Sequence, residues 1–472
     1  MRIETVHRVA QAKSDVLAWY DRPGALVRLT PPGIASVEDP SVGGMRAGRL
    51  VGARLGPAPL PAPLRPRWVL RHVESDPVGH FVDQQVSGPW RTWRHEHRLE
   101  ADGTTGDTST AGETATAGEA STVIRDSIEV ELPRHLERLA PVAESQIRRL
   151  LAFRARQLRD DLAFHARFRG VPRRTIAITG SSGLIGTQLA ALLETGGHTV
   201  HRMVRRSEVG PGEISWDPRA GELDAADLEG VDVVINLAGR SIATRWTPDA
   251  RREIRDSRLD GTALIARTLA GMRGGPTALV QASAIGLYGP RRPGEVLTES
   301  DPGGEGFLAD LVRDWEGSTR AADDAGVRVA HVRTGLALSD GGGSLLPQLP
   351  LFLAGVGGRL TAGRAMTSWI SLDDIVRVFA HAALSADVAG PVNGVAPQPV
   401  TAREFARTLG EVLHRPALVP VPSFGPRLAL GGAAADELIQ VDQQVSSARL
   451  EQSGFVPAHA RLEDALRHLL RR

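Results

Sequence analysis

The sequence predicts a two-part chain: a doubly wound parallel α/β sheet with a small C-terminal lobe, preceded by a separate α+β module. Three observations predict it. From about residue 174 onward, apolar strand-like runs alternate with helical stretches. The first such run, Thr175 to Thr179, ends in Gly180-x-x-Gly183-x-x-Gly186 and leads into a helix-like segment from Leu184 to Leu193. Before residue 170 the texture differs, with period-two strands, proline-rich turns and one long amphipathic stretch. A chain of 472 residues suits more than one domain, at ~100–200 residues each. The linker Gly170-Val-Pro-Arg-Arg174 sets the expected domains at 1–169 and 174–472.

In the first part, Pro31-Pro32-Gly33 and Pro57 to Pro63 punctuate short strands. Trp68 to Val73, His80 to Val86, Thr92 to Leu99 and Val123 to Leu132 alternate as strands do. Ala101 to Thr122 is low in complexity and cannot bury a core, so it reads as a hairpin loop. From Leu139 to Phe168 the period becomes helical. Ile147, Leu150, Leu151, Leu158 and Leu162 share one side, and Arg148, Arg149, Arg156, Asp160 and Asp161 fill much of the other. His95 and His97 share a strand face around Glu96, but the sequence offers no third ligand, so no metal site is expected. Trp90 and Trp93 read as core.

In the second part, the glycine turn has the form that holds a dinucleotide pyrophosphate in a Rossmann-type sheet. Gly180 makes the turn, Gly183 lets the backbone approach the phosphates, and Gly186 lets helix and strand pack closely. A second strand follows from Thr199 and ends at Arg205-Arg206. An acidic residue there selects NAD through the ribose, whereas guanidinium groups bind a 2′-phosphate, so NADP(H) is expected over NAD(H). Val231 to Gly239, the run from Ala278 to Gly289 and Val327 to Gly335 supply further strands with glycine exits. Leu345 to Val356 reads as a lid helix or substrate wall, and Asp374 as the cap of a helix starting near Ile375.

Composition narrows the functions. The net charge of +1 gives no global field for nucleic acid or a membrane surface. The absence of cysteine excludes disulfides, thiolate zinc sites and cysteine nucleophiles. The first residues lack an apolar signal core, and no run of about 18 apolar residues occurs, so the expected compartment is the cytoplasm.

Two resemblances follow from these motifs. Trp19 to Pro32, Gly88 to His97 and Asp126 to Pro133 resemble the START-like, polyketide-cyclase-type helix-grip domain fused ahead of certain nucleotide-sugar-epimerase-like proteins. That resemblance implies an apolar ligand in a cavity. Thr179-Gly-Ser-Ser-Gly-Leu-Ile-Gly186, Asn236-Leu-Ala-Gly239, Ser283-Ala-Ile-Gly-Leu-Tyr-Gly289, Arg333-Thr-Gly335 and Asp314-Trp-Glu316 resemble the epimerase-like, atypical branch of the short-chain dehydrogenase/reductase superfamily. This resemblance implies NADP(H) contacts from Gly180, Ser181, Gly183, Leu184, Ile185, Gly186, Arg205, Arg206, Leu237, Ala238 and Gly239. It adds the helix pair Glu253 and Arg258 and the loop at Leu336.

The resemblance also exposes a departure. The superfamily's Tyr-x-x-x-Lys pair needs a lysine near the phenol, and the single lysine here is Lys13, in the other part. The tyrosines are Tyr20 and Tyr288. Ser283 keeps the position of the substrate-binding hydroxyl and Tyr288 is the nearby phenol, so these two are the expected catalytic groups, with a packed ring closing the turn at Gly289 as the other reading of Tyr288. Two functions stay open: an oxidoreductase or epimerase-like enzyme on a small substrate, and a dinucleotide-binding sensor or scaffold without turnover.

Overall fold

The structure is a computed structural model that describes residues 1–39, 43–57, 60–76, 78–102, 121–419 and 424–472. The described chain forms two compact units. The first comprises residues 1–170, 194–197 and 471, and the second residues 171–193, 198–470 and 472.

In chain order the first unit contains β1 (Arg2–Val9), α1 (Lys13–Asp21), α2 (Ala25–Arg28), β2 (Ala35–Val37), β3 (Leu50–Leu55), β4 (Arg67–Ser75), β5 (His80–Ser87), β6 (Thr92–Ala101), β7 (Thr122–Glu131) and α3 (Ala140–Ala166). The strands make one antiparallel sheet in the order β1-β7-β6-β5-β4-β3-β2. Alternation decides which side chains face α3. Ile3, Trp93, Ile128 and Val130 pack with Ile147 and Leu151 of the helix, while Phe81, Leu99 and Ile124 pack with Trp19, Leu158 and Leu162. Trp90 lies against the buried Trp93. The helical wheel misplaces Asp161. It is fully buried and holds the guanidinium of Arg28 through two 2.8 Å hydrogen bonds, because a buried charge needs a partner. Most of the low-complexity run, 103–120, lies outside the described residues.

The second unit follows with β8 (Thr175–Thr179), α4 (Leu184–Thr195), β9 (Thr199–Val204), β10 (Glu213–Ser215), β11 (Val233–Asn236), α5 (Pro248–Gly271), β12 (Ala278–Ala284), β13 (Arg291–Leu297), α6 (Phe307–Gly317), α7 (Arg320–Asp324) and β14 (Arg328–Thr334). Its sheet is parallel and runs β10-β9-β8-β11-β12-β14, with Gly390–Gly394 at the far edge. The strand order reverses beside β8, so the carboxyl ends of β8 and β11 form the crevice where open α/β sheets bind ligands. Central strands are buried on both faces: Val233, Val234 and Ile235 have no exposed surface. The helix Leu372–Leu384 is capped by Ser371, whose hydroxyl accepts from the Asp374 amide. The expected cap, Asp374, instead accepts from the amides of Ala458 and His459. Of the expected lid, Leu349–Leu353 is helical, with Leu351 and Leu353 exposed. Among the described residues no helix is long and apolar enough to cross a membrane.

Candidate functional site

The turn between β8 and α4 starts with Gly180 at φ +65°, a left-handed conformation that side chains disfavour. A Cβ on Gly180 would also sit 3.0 Å from the Leu237 carbonyl, so β8 and β11 meet here backbone to backbone. Gly186 is tighter: its Cβ would lie 2.2 Å from the Gly180 oxygen. Gly183 differs. It is exposed, and a Cβ there would meet one atom, the Gly180 oxygen, at 3.2 Å. Two glycines therefore close the turn and the third faces open space. Ser181, Leu184 and Ile185 surround it half-buried, and the first amides of α4 have no partner within the helix. This is a cradle for an anion, and the glycine spacing fits a pyrophosphate.

A buried polar row holds the cradle in place. Parallel register aligns Thr179, Asn236 and Gln281 across β8, β11 and β12. The Thr179 hydroxyl donates to Asn236 Oδ1 at 2.6 Å and accepts from the amides of Leu237 and Ala238 at 3.0 and 3.1 Å. Asn236 Nδ2 donates to Gln281 Oε1 and to the Thr262 hydroxyl of α5, which also accepts from the Trp315 indole of α6. The loop from Leu237 to Gly239 is thereby fixed beside the glycine turn. Sequence reading gave no role to Thr179 or Trp315, which it quoted only within motifs, and did not single out Thr262. The signal was there for Asn236, an amide at the end of an apolar strand.

The expected cationic contacts differ among themselves. Arg205 is exposed at the exit of β9. Arg206 is paired with Glu213 and also donates to the Glu208 carbonyl, so its charge is largely committed. Glu253 and Arg258 do not pair with each other. Glu253 binds Arg240, and Arg258 donates to the Arg240 and Ile254 carbonyls while its guanidinium lies over the Trp315 ring. Burial pushes the Arg258 pKa down to about 10. Its carbon stands 3.1 Å from where a Cβ of Gly239 would be, which puts the group next to the β11 exit. Leu336 is not in a loop; it opens a short strand, Leu336–Ser339, paired with Trp369–Ser371.

Ser283 and Tyr288 sit in a second buried network. Register puts Ser283 of β12 beside Arg333 of β14. The Ser283 hydroxyl donates to Glu316 of α6 at 2.6 Å, and Arg333 holds both oxygens of that carboxylate at 2.9 Å. Arg333 also donates to the Tyr288 hydroxyl at 3.0 Å, which donates to Asn393 at 2.8 Å. Ser283 is 4% exposed and Tyr288 0%. Burial raises the phenol pKa, outweighing the opposite pull of Arg333 and Asn393. A proton-relaying phenolate needs the reverse. In this structure the ring closes the turn at Gly289 (φ +78°) and its hydroxyl bridges two strands. Tyr288→Phe is expected to cost roughly 1.5–3 kcal/mol, the range for a hydrogen bond to a charged group, and to leave dinucleotide affinity unchanged. Calorimetry that found weakened binding in a folded variant would restore a direct role.

Comparison with known proteins places the second unit among epimerase-family proteins. Residues 176–309 match the NAD dependent epimerase/dehydratase family, and residues 421–469 match a domain of unknown function, DUF1731. The Mycobacterium bovis epimerase family protein is 42% identical over 292 residues, covering 62% of this chain and 96% of the relative. The human epimerase family protein SDR39U1 is 34% identical over 299 residues, 62% of this chain and 99% of the relative. A crystal structure of that human protein with NADPH aligns at TM-score 0.57 and 32% identity, over 62% of this chain and 98% of its own. The crystal structure of the nucleoside-diphosphate sugar epimerase from Corynebacterium glutamicum aligns at TM-score 0.77 and 31% identity, over 99% of this chain and 90% of its own.

Proposed function

Because the chain belongs to the NAD-dependent epimerase/dehydratase family, in its SDR39U1-like atypical short-chain dehydrogenase/reductase branch, we propose that it is an NADP(H)-dependent oxidoreductase or epimerase-like enzyme acting on a small molecule. The observation that carries the reading is the glycine cradle left open at Gly183. Bound there, the nicotinamide cofactor supplies or accepts a hydride. Gly180 to Gly186 would hold the pyrophosphate with backbone amides, and Leu237 to Gly239 would line the adjoining wall. Arg205, exposed at the end of β9, would bind a 2′-phosphate. The NADPH of the human relative's structure supports the same choice of cofactor.

With Tyr288 sealed and the single lysine at position 13, the chain has no tyrosine–lysine relay. Ser283 remains the hydroxyl nearest the β12 exit, but its proton is given to Glu316. Proton balance then rests on the substrate or on water. That same commitment of both hydroxyls favours the second reading, a dinucleotide-binding sensor without turnover. Screening a carbonyl, alcohol and nucleotide-sugar panel for change in the reduced-nicotinamide absorbance separates the two.

We read the first unit as a helix-grip, START-like module: a seven-stranded antiparallel sheet closed by one long helix. Cofactor choice has its own test. Arg205→Ala is expected to weaken NADPH by roughly 10- to 100-fold, as losing a charge-assisted contact does, and NADH little. Arg206→Ala should do less, since Glu213 already holds that side chain. Equal affinity of the unsubstituted chain for NADPH and NADH would sink the NADP(H) assignment.

A further inference from the structure

We propose that Asp83, His95 and His97 form a binding site for one divalent first-row cation of the zinc type inside the first unit. The sheet register builds the site. Asp83 of β5 pairs directly with His95 of β6, and His97 lies two residues on, pointing to the same face. One ligand atom from each of the three lies within 4.8 Å of the other two. Two imidazoles and a carboxylate suit zinc and its neighbours, and three protein ligands leave a position open for an oxygen donor.

The surroundings fit an ion. Asp126 of β7 accepts from His95 Nε2 at 3.0 Å and lies 2.8 Å from His97 Nδ1. Each ring therefore keeps its other nitrogen, and His97 Nε2 is already 3.5 Å from Asp83. Asp126 thus stands behind both histidines, and a carboxylate there is the usual support for a metal-binding imidazole. The rings are walled by Phe81, stacked on His97 at 4.1 Å, and by Tyr20.

A self-contained hydrogen-bonded cluster accounts for the arrangement less well. Buried polar atoms normally find aligned partners. Here His72 Nδ1 and Asp83 Oδ1 approach to 2.5 Å without the alignment of a regular hydrogen bond. His95 and His97 are 2% and 5% exposed, so these are interior groups. The side chains of His72 and Asp83 are less deeply covered, at 14% and 17% exposed.

The test uses the full chain without a histidine tag, stripped by chelator and titrated with Co²⁺, then Zn²⁺. One equivalent of Co²⁺ should bind with visible d–d absorption and be displaced by Zn²⁺. Asp83→Asn and His97→Gln should each weaken binding by 10-fold or more, while His201→Gln, in the second unit, should not. X-ray absorption of the zinc-loaded, unsubstituted chain should show two imidazoles and at least one further oxygen donor, which keeps the proposal testable if a variant fails to fold. No retained cation, binding undiminished in both variants, or a zinc shell with fewer than two imidazoles would overturn it.

Discussion

Gly183→Val abolishes NADPH binding while the second unit stays folded. The expectation rests on the contrast among the three glycines of one turn. At Gly183 a Cβ meets the Gly180 oxygen at 3.2 Å and is otherwise in open space, and the backbone there is not left-handed. The protein itself can therefore accept a side chain with a shift of a few tenths of an ångström. The pyrophosphate cannot, because two methyl groups fill the volume it must approach. We expect NADPH affinity to fall roughly 100-fold or more, about 2.8 kcal/mol at 1.4 per decade. The thermal midpoint should move little. Gly186→Val is the opposite case: its Cβ would stand 2.2 Å from the Gly180 oxygen and 2.8 Å from the Ser181 α-carbon, both backbone. That variant should lose stability as well as binding. Calorimetry and melting of the pair decide the matter, and wild-type affinity in Gly183→Val would mean that the phosphates lie elsewhere.

This glycine turn was legible in the sequence because its logic is local. Strand, glycine spacing and helix occupy one continuous stretch, and each glycine's task follows from its place in it. The parallel sheet was legible for a similar reason, since buried strands read as apolar runs wherever they pair. What the sequence hid is register. Asp83 sits opposite His95 because of how β5 pairs with β6, and no spacing rule reports that pairing; the histidines therefore looked like a site lacking a third ligand. Ser283 and Tyr288 were readable as hydroxyls in the right segment. Their commitment to Glu316, Arg333 and Asn393 depends on β14, α6 and a distant edge strand coming together. Asp161 shows the same limit on a helix, where amphipathic counting placed it outside and Arg28, brought in by α2, holds it inside.

Arg333→Met should produce the largest loss of stability in the second unit, about 3–5 kcal/mol at neutral pH. Arg333 and Glu316 are bidentate partners with side chains 7% and 15% exposed, and Ser283, Tyr288 and the Glu299 carbonyl complete the shell. Burial alone raises the Glu316 pKa; the Arg333 contact and the Ser283 hydroxyl outweigh it, and the net pKa is lowered. A carboxylate with a depressed folded pKa contributes stability that is present above the unfolded value, near 4.3, and is lost as pH falls through the folded value. In Arg333→Met the balance inverts. Burial then dominates, the folded pKa rises above the unfolded one, and the ionised carboxylate becomes a liability at pH 7 that protonation relieves. The difference between wild type and variant should therefore be largest at pH 7 and shrink towards pH 4. Adding Glu316→Gln should recover much of the loss, because it removes the unpaired buried charge. Hydrogen exchange of the β12 and β14 amides reads this unit by itself. A loss independent of pH, or one the double variant does not relieve, would show that Arg333 acts through packing and not through its charge.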